Sequence, residues 1–160
     1  MTHKILIALD HSEGAWRAVE YVARTFGQTP GVKVMLLHVL PGIPPALWDT
    51  GHLLTEEEKK GRARLVAIWE ETKEQKWKDL LQKAQQRLVE AGISAEAITR
   101  DFEPDYSGVA EEILEEARSG GYATIVMGRR GLGKLKSILL GSVSNKVVQH
   151  AHGFAVTIVE

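Results

Sequence analysis

The segment Gly128-Arg-Arg-Gly-Leu-Gly-Lys-Leu-Lys-Ser-Ile-Leu-Leu-Gly-Ser142 follows an apolar run, Thr124–Met127, and precedes an apolar-periodic stretch, Val143–Ala151. Strand, glycine-rich basic loop and helix start, in that order, build an anion cradle. Glycines let backbone amides approach an oxyanion without Cβ interference, and a helix N-terminus adds unpaired N–H groups and the positive end of its dipole. The spacing is Gly128, two residues, Gly131, nine residues, then Gly141-Ser142. The segment reads as the phosphate site of a bound nucleotide, carried on an α/β fold.

Outward from this loop, five apolar runs have strand length: Ile5–Leu9, Val32–Leu40, Ala95–Arg100, Thr124–Met127 and Phe154–Val159. Four are nearly continuous in Ile, Leu, Val and Ala, the pattern of strands covered on both faces by helices. Ala95–Arg100 alternates and reads as an edge strand. Ser12 is placed to cap a helix through Phe26, and Thr55-Glu-Glu-Glu58 is a capping box. From that box an apolar pattern runs to Gly92; as one straight helix it would extend about 54 Å, so Gly61 is a candidate break and residues 70–76 a candidate projection into solvent or onto a partner. Ser107 opens a third helix through Arg118, and Val143–Ala151 forms the last. The order βαβαβαβαβ implies right-handed crossovers and a doubly wound sheet. Trp48, Trp69 and Trp77 read as packing residues rather than a ligand cage.

At 160 residues the chain suits a single domain, 1–160, with a long helical insertion around 41–92. Twenty basic against twenty-one acidic side chains give a net charge of −1, which favours neither a nucleic-acid nor a membrane partner. There are no cysteines, hence no disulfides or thiolate metal sites, and no segment reads as a signal peptide or membrane span. The expected location is cytoplasmic.

Two familiar nucleotide motifs are approached and missed. The P-loop pattern fails at Leu135, where Ser or Thr is needed to hold Mg²⁺, and the Gly-x-Gly-x-x-Gly dinucleotide fingerprint meets Lys136 in place of its last glycine. In a doubly wound sheet the first and fourth strands meet at the switch point, where ligands sit beyond the carboxyl ends. Asp10, ending the first strand, could accept hydrogen bonds from a ribose or hold a metal; equally it could cap the Ser12 helix. Val39, ending the second, could offer backbone groups to an adenine edge. His150 and His152 read as a solvated helix end rather than a metal pair, and His11 and His38 adjoin the pocket without a catalytic role.

The segments Ile5-Leu-Ile-Ala-Leu-Asp10-His-Ser12, Met35-Leu-Leu-His-Val39 and Met127-Gly-Arg-Arg-Gly131, with Leu140-Gly-Ser-Val-Ser144, resemble the universal stress protein family. The resemblance spans essentially the whole chain, and the loop spacing is similar to that of its ATP-binding branch. It implies a five-stranded open parallel sheet of order 3-2-1-4-5, helices on both faces, and a homodimer formed through the last strand. It also implies ATP, or another adenine nucleotide, with Mg²⁺ between the ends of strands one and four. Carried over by motif, Asp10 would contact ribose or adenine, the Val39 backbone would read the adenine, and Met127 and Gly128 would line the ribose. Gly131, Gly141, Ser142, Val143 and Ser144 would surround the phosphates, with Arg129 nearby. The last strand is entered by His152-Gly-Phe-Ala-Val156 where members often show Pro-Cys-Pro-Val, a departure that touches the dimer rather than the nucleotide site.

Phosphoryl transfer needs in-line geometry, an acceptor and metal neutralisation of the phosphates. No general base is poised for water, so no catalytic residue is assigned. The expected function is a nucleotide-binding stress-response or signalling module with at most slow hydrolysis; the alternative is a dimeric interaction module with an empty or vestigial pocket.

Overall fold

A computed structural model describes residues 3–40, 55–104, 107–130 and 140–160. Five parallel strands, β1 (Lys4–Ala8), β2 (Lys33–Leu40), β3 (Ile98–Pro104), β4 (Thr124–Gly128) and β5 (Ala155–Val159), form one sheet of order β3-β2-β1-β4-β5. Among the described residues, four helices cover it: α1 (Glu13–Phe26), α2 (Glu56–Glu90), α3 (Val109–Ser119) and α4 (Ser142–His150). The expected strand order and the edge position of β3 are both present.

Side-chain alternation along the strands divides the core in two. Ile5, Ile7, Val34, Leu36 and Val126 face α1 and α2; Leu6, Met35, Leu37, Ile125 and Met127 face α3 and α4. Because both faces are apolar, the central strands read as continuous hydrophobic runs. Helix α1 starts where Ser12 Oγ accepts from the Ala15 amide at 3.1 Å, and buries Ala15, Ala18, Val19, Val22 and Ala23 against the sheet. Small residues there keep the helix close to the strands.

Helix α2 is one uninterrupted rod of 35 residues, about 52 Å long. Gly61 does not break it, since a glycine inside a helix costs only about 1 kcal/mol relative to alanine. The Thr55–Glu58 capping box is formed in both directions. Its buried residues, Trp77, Leu81, Ala84 and Leu88, recur every three or four positions and are confined to the C-terminal part. There Arg87 also grips Glu20 of α1 in a two-pronged ion pair, at 2.7 and 2.9 Å.

Two boundaries differ from the sequence reading. A 3-10 turn occupies Ala95–Ala97, closed by the Ala97 amide on the Ser94 carbonyl at 3.0 Å, and β3 begins only at Ile98, the first residue in register with Val34. Ser107 precedes α3 rather than capping it. The cap position is Gly108, while the Ser107 amide and hydroxyl both donate to Glu112 Oε1, at 3.1 and 2.9 Å.

The anchoring pattern of α2 yields a stability contrast. Leu88→Ala, at a fully buried site, should lower the unfolding free energy by about 2–5 kcal/mol. Leu65→Ala, toward the other end of the same helix, should change the stability of the single chain by less than about 0.5 kcal/mol. Denaturant unfolding of dilute protein measures both.

Candidate functional site

The carboxyl ends of β2, β1 and β4 lie side by side, and each brings sequence-identified residues to the same edge of the sheet. At β4, Gly128 touches Gly14 in the first turn of α1 backbone to backbone. A Cβ on Gly128 would stand 2.4 Å from the Gly14 carbonyl carbon, and one on Gly14 would stand 2.6 Å from the Arg130 carbonyl oxygen. Only glycines permit this approach. It fixes where the chain leaves β4 and enters the basic loop. Gly14 was not identified as a site residue; its signal, one glycine in the first strand–helix turn, becomes meaningful only once Gly128 is known to face it.

Beyond Gly128, the Arg129 amide donates to the Val159 carbonyl at 2.8 Å and its carbonyl accepts from the Gly141 amide at 2.9 Å. The Arg129 guanidinium pairs with Glu160 at 2.6 Å. Gly141 is the N-cap of α4, in an extended conformation with no side chain to cap the helix. Among the described residues, the first-turn amides of Ser142, Val143 and Ser144 therefore have neither intrahelical nor side-chain acceptors, and they sit at the positive end of the helix dipole. The buried Ser144 hydroxyl donates to the Gly128 carbonyl at 3.0 Å, tying α4 to β4. The Ser144 hydroxyl is thereby engaged, and its amide remains part of the open first turn. Gly131, with Lys134 and Lys136, lies outside the described residues, as does Trp48.

At β1, Asp10 Oδ1 accepts from the Ser12 amide at 2.9 Å, so this carboxylate shapes the turn while Ser12 itself caps α1. A cleft of about 460 Å³ lies beside this turn, between Asp10–Glu13, Trp16 and Leu80. Among the described site candidates Asp10 alone lines it; Val39 stands at the end of β2, and the others gather on the β4–α4 side.

At β2 the main-chain ladder with β1 is diverted. The Leu9 amide donates to the Leu37 carbonyl at 2.8 Å, so Leu37 points its polar groups toward β1, and Val39, two residues on, points its own the same way. The next rung would carry the Val39 amide to the Leu9 carbonyl. That carbonyl instead accepts from His38 Nδ1 at 2.7 Å. The Val39 amide is left facing the gap beyond β1, while the Val39 side chain is buried among α3–α4 residues.

His38 is itself enclosed. A carbonyl only accepts, so Nδ1 carries the proton and Nε2 is a bare acceptor, buried and without a partner among the described residues. Its ring stacks on the Trp77 indole with centroids 3.2 Å apart, and His11 stacks on the same indole at 4.1 Å. Trp77 therefore packs, while Trp69 lies beneath the Lys73 ammonium at 3.7 Å. Burial pushes His38 down to about 4 from its ordinary 6.5; the Leu9 bond opposes this and the neighbouring His11 adds to it. At the far end of α4, His150 Nδ1 donates to the Lys146 carbonyl at 2.9 Å, the bond of an exposed helix end.

The model of the universal stress protein family matches residues 1–159. The chain belongs to the universal stress protein family. Among curated relatives, universal stress protein YxiE of Bacillus subtilis is 32% identical over 150 residues, 93% of each chain. The solved structure of hypothetical protein MJ0577 superposes with a TM-score of 0.73 at 26% identity, covering 100% of this chain and 98% of that one. More distant members share the fold: an Archaeoglobus fulgidus protein in complex with dAMP (20% identity, TM-score 0.61, 100% and 98% covered) and an Arabidopsis thaliana protein with AMP bound (18%, 0.63, 99% and 92%).

The His38 environment sets an acid limit on stability. In the unfolded chain His38 takes a proton near pH 6.5, in the folded chain only near 4, so between these values the unfolded state binds more protons. Stability should fall as pH drops from about 6.5 to about 4, by at most roughly 3 kcal/mol from this residue, and level off below. Unfolding midpoints of the wild type and His38→Asn across this range isolate the effect. The difference between them should change in that window and be flat above it.

Proposed function

We propose that this universal stress protein binds an adenine nucleotide as one domain spanning 1–160, with ATP and Mg²⁺ as the full ligand. Its role would be that of a cytoplasmic stress-response or signalling module with at most slow hydrolysis. The observation that carries this reading is the placement of two sets of unspent main-chain groups on either side of Asp10. The Val39 amide stands at the end of β2, and the uncapped first turn of α4 stands beyond β4. These strands flank β1, so roughly 10 Å separates them across the sheet. An adenosine phosphate laid across that gap puts its base edge at Val39, its ribose at the Asp10 carboxylate and its phosphates on the amides of Ser142, Val143 and Ser144. Gly131 would close over the phosphates, and Arg129 would reach them by leaving Glu160. The relatives in complex with dAMP and AMP support the same ligand class. We also propose a homodimer through β5, the edge strand beside β4.

The residues described supply amides, a hydroxyl and cations, which bind phosphate, and the Glu160 carboxylate beside them is an exposed ion-pair partner of Arg129. Binding, rather than turnover, follows from that chemistry.

Gly141→Asp separates site from scaffold. The position has φ −62° and ψ 159°, open to any residue, and aspartate is a strong N-cap that would satisfy the α4 amides and place a negative charge where phosphate binds. The variant should unfold at the same temperature or higher, yet bind ATP at least about tenfold more weakly by calorimetry. The reading fails if the wild type gives no heat with ATP or AMP at high micromolar concentration, with or without Mg²⁺. It fails equally if a folded Gly141→Asp variant binds as well as the wild type.

A further inference from the structure

We propose that α2 pairs antiparallel with α2 of a second copy of this chain, along a seam formed by Gly61, Leu65, Ile68 and Thr72. The surface is separate from the nucleotide site and does not depend on it. All the buried residues of α2 lie from Trp77 onward; Glu56–Lys76 contains none. This arm, about 30 Å long, carries Leu65 at 58% and Ile68 at 52% exposure, the two most exposed large apolar side chains among the described residues. Nothing lies within 4 Å of where a Gly61 Cβ would stand.

The positions 61, 65, 68 and 72 are spaced by four, three and four, which is the spacing of a two-helix seam with Leu65 and Thr72 at one core position and Gly61 and Ile68 at the other. Crossing two such helices antiparallel, centred between Leu65 and Ile68, sets Leu65 against the partner's Ile68 twice. It also sets Gly61 against the partner's Thr72 twice, the missing side chain admitting the larger one.

Charge fixes the register. One flank of the seam presents Glu57, Arg64, Glu71 and Lys78, all exposed. In an antiparallel pair this row meets its own copy in reverse. Arg64 then stands opposite the partner's Glu71, and Glu57 opposite the partner's Lys78, giving four complementary contacts across the two-fold axis. Lys78 pairs with Glu74 on its own helix at 2.6 Å, an exposed contact of the kind that exchanges at little cost. A parallel pair would bring two bulky bodies, each packed on its α2 from Trp77 onward, to the same end of the seam. The antiparallel arrangement sends them to opposite ends.

Charge reversal with rescue tests the pairing in solution. Sedimentation of the full chain should show an association step that strengthens with protein concentration, whether it joins monomers or joins dimers formed elsewhere. Arg64→Glu should weaken that step about tenfold, and Glu71→Arg likewise, because each makes two contacts per pair repulsive. The double variant carrying both reversals should return to within about threefold of the wild type. Residues 64 and 71 are two helical turns apart and do not touch within one helix, so such rescue must act between chains. Leu65→Glu should abolish the step, with unfolding temperature reporting that the fold is intact. The proposal is overturned if no association step exists, if the step is indifferent to these changes, or if the double variant stays as weak as the singles.

Discussion

The contact of Gly14 with Gly128 is the constraint on which the rest of this molecule depends. It joins the first turn of α1 to the end of β4, main chain against main chain, at the junction where the sheet's two halves diverge. A methyl group on Gly128 would overlap the Gly14 backbone, and one on Gly14 would overlap the Arg130 carbonyl, so either would push α1 away from the sheet. The consequences would spread along named bonds. Gly128 also receives the Ser144 hydroxyl, and Arg129 next to it receives the Gly141 amide, so the same few atoms that seat α1 orient the N-terminus of α4. Two helix starts are thus referenced to one strand end, and the edge between them inherits their precision.

The helix starts of this chain are closed to different degrees, α3 and α4 both beginning at a glycine without a side-chain cap. Ser12 caps α1 with its hydroxyl, and Thr55 with Glu58 closes α2 in both directions. Helix α4 starts at a glycine that contributes no cap, although an Asp, Ser or Thr at that position would stabilise it by a few tenths of a kcal/mol. Leaving those amides bare is a local loss of stability at the place where the sequence motif locates an anion. At β2 the Leu9 carbonyl accepts from the His38 ring at the place where the ladder's next rung would fall.

Much of this was legible in the sequence because it is written in local patterns. Continuous apolar runs gave a parallel sheet, and strand–helix alternation gave its winding. The glycine and serine spacing after β4 brought attention to Gly128, Arg129 and Gly141 through Ser144, which do gather at one edge. What was not legible depends on partners far along the chain. The tie from His38 to Leu9 and the stack on Trp77 require a register between β1, β2 and α2 that no window of residues encodes. Gly14 carries no decisive local signal for the same reason. Ala95–Ala97 continues the apolar pattern of the strand that follows, yet its chain bends, because pairing to β2 begins only where Ile98 meets Val34. Gly61 misled in the opposite direction. Its cost inside a helix is about 1 kcal/mol, too little to end a rod that a full capping box starts and a buried C-terminal stripe holds.

Trp77 marks the point where these local and distant influences meet. It is the first buried residue met along α2; before it Arg62, Val66, Trp69 and Lys73 are half-buried and the rest of that stretch is exposed. Its indole is also the surface on which His38 rests, and His38 is what diverts the rung between β1 and β2. The ring therefore has two structural duties that share no sequence neighbourhood: it ends the anchored part of a long helix, and it keeps one carbonyl occupied at the edge of the sheet. A smaller apolar residue could serve the first duty by filling part of the same volume. The second needs a flat face against which an uncharged imidazole can lie without a partner for Nε2. That requirement explains why an aromatic ring stands at this turn of α2 while the remaining anchors, Leu81, Ala84 and Leu88, are aliphatic.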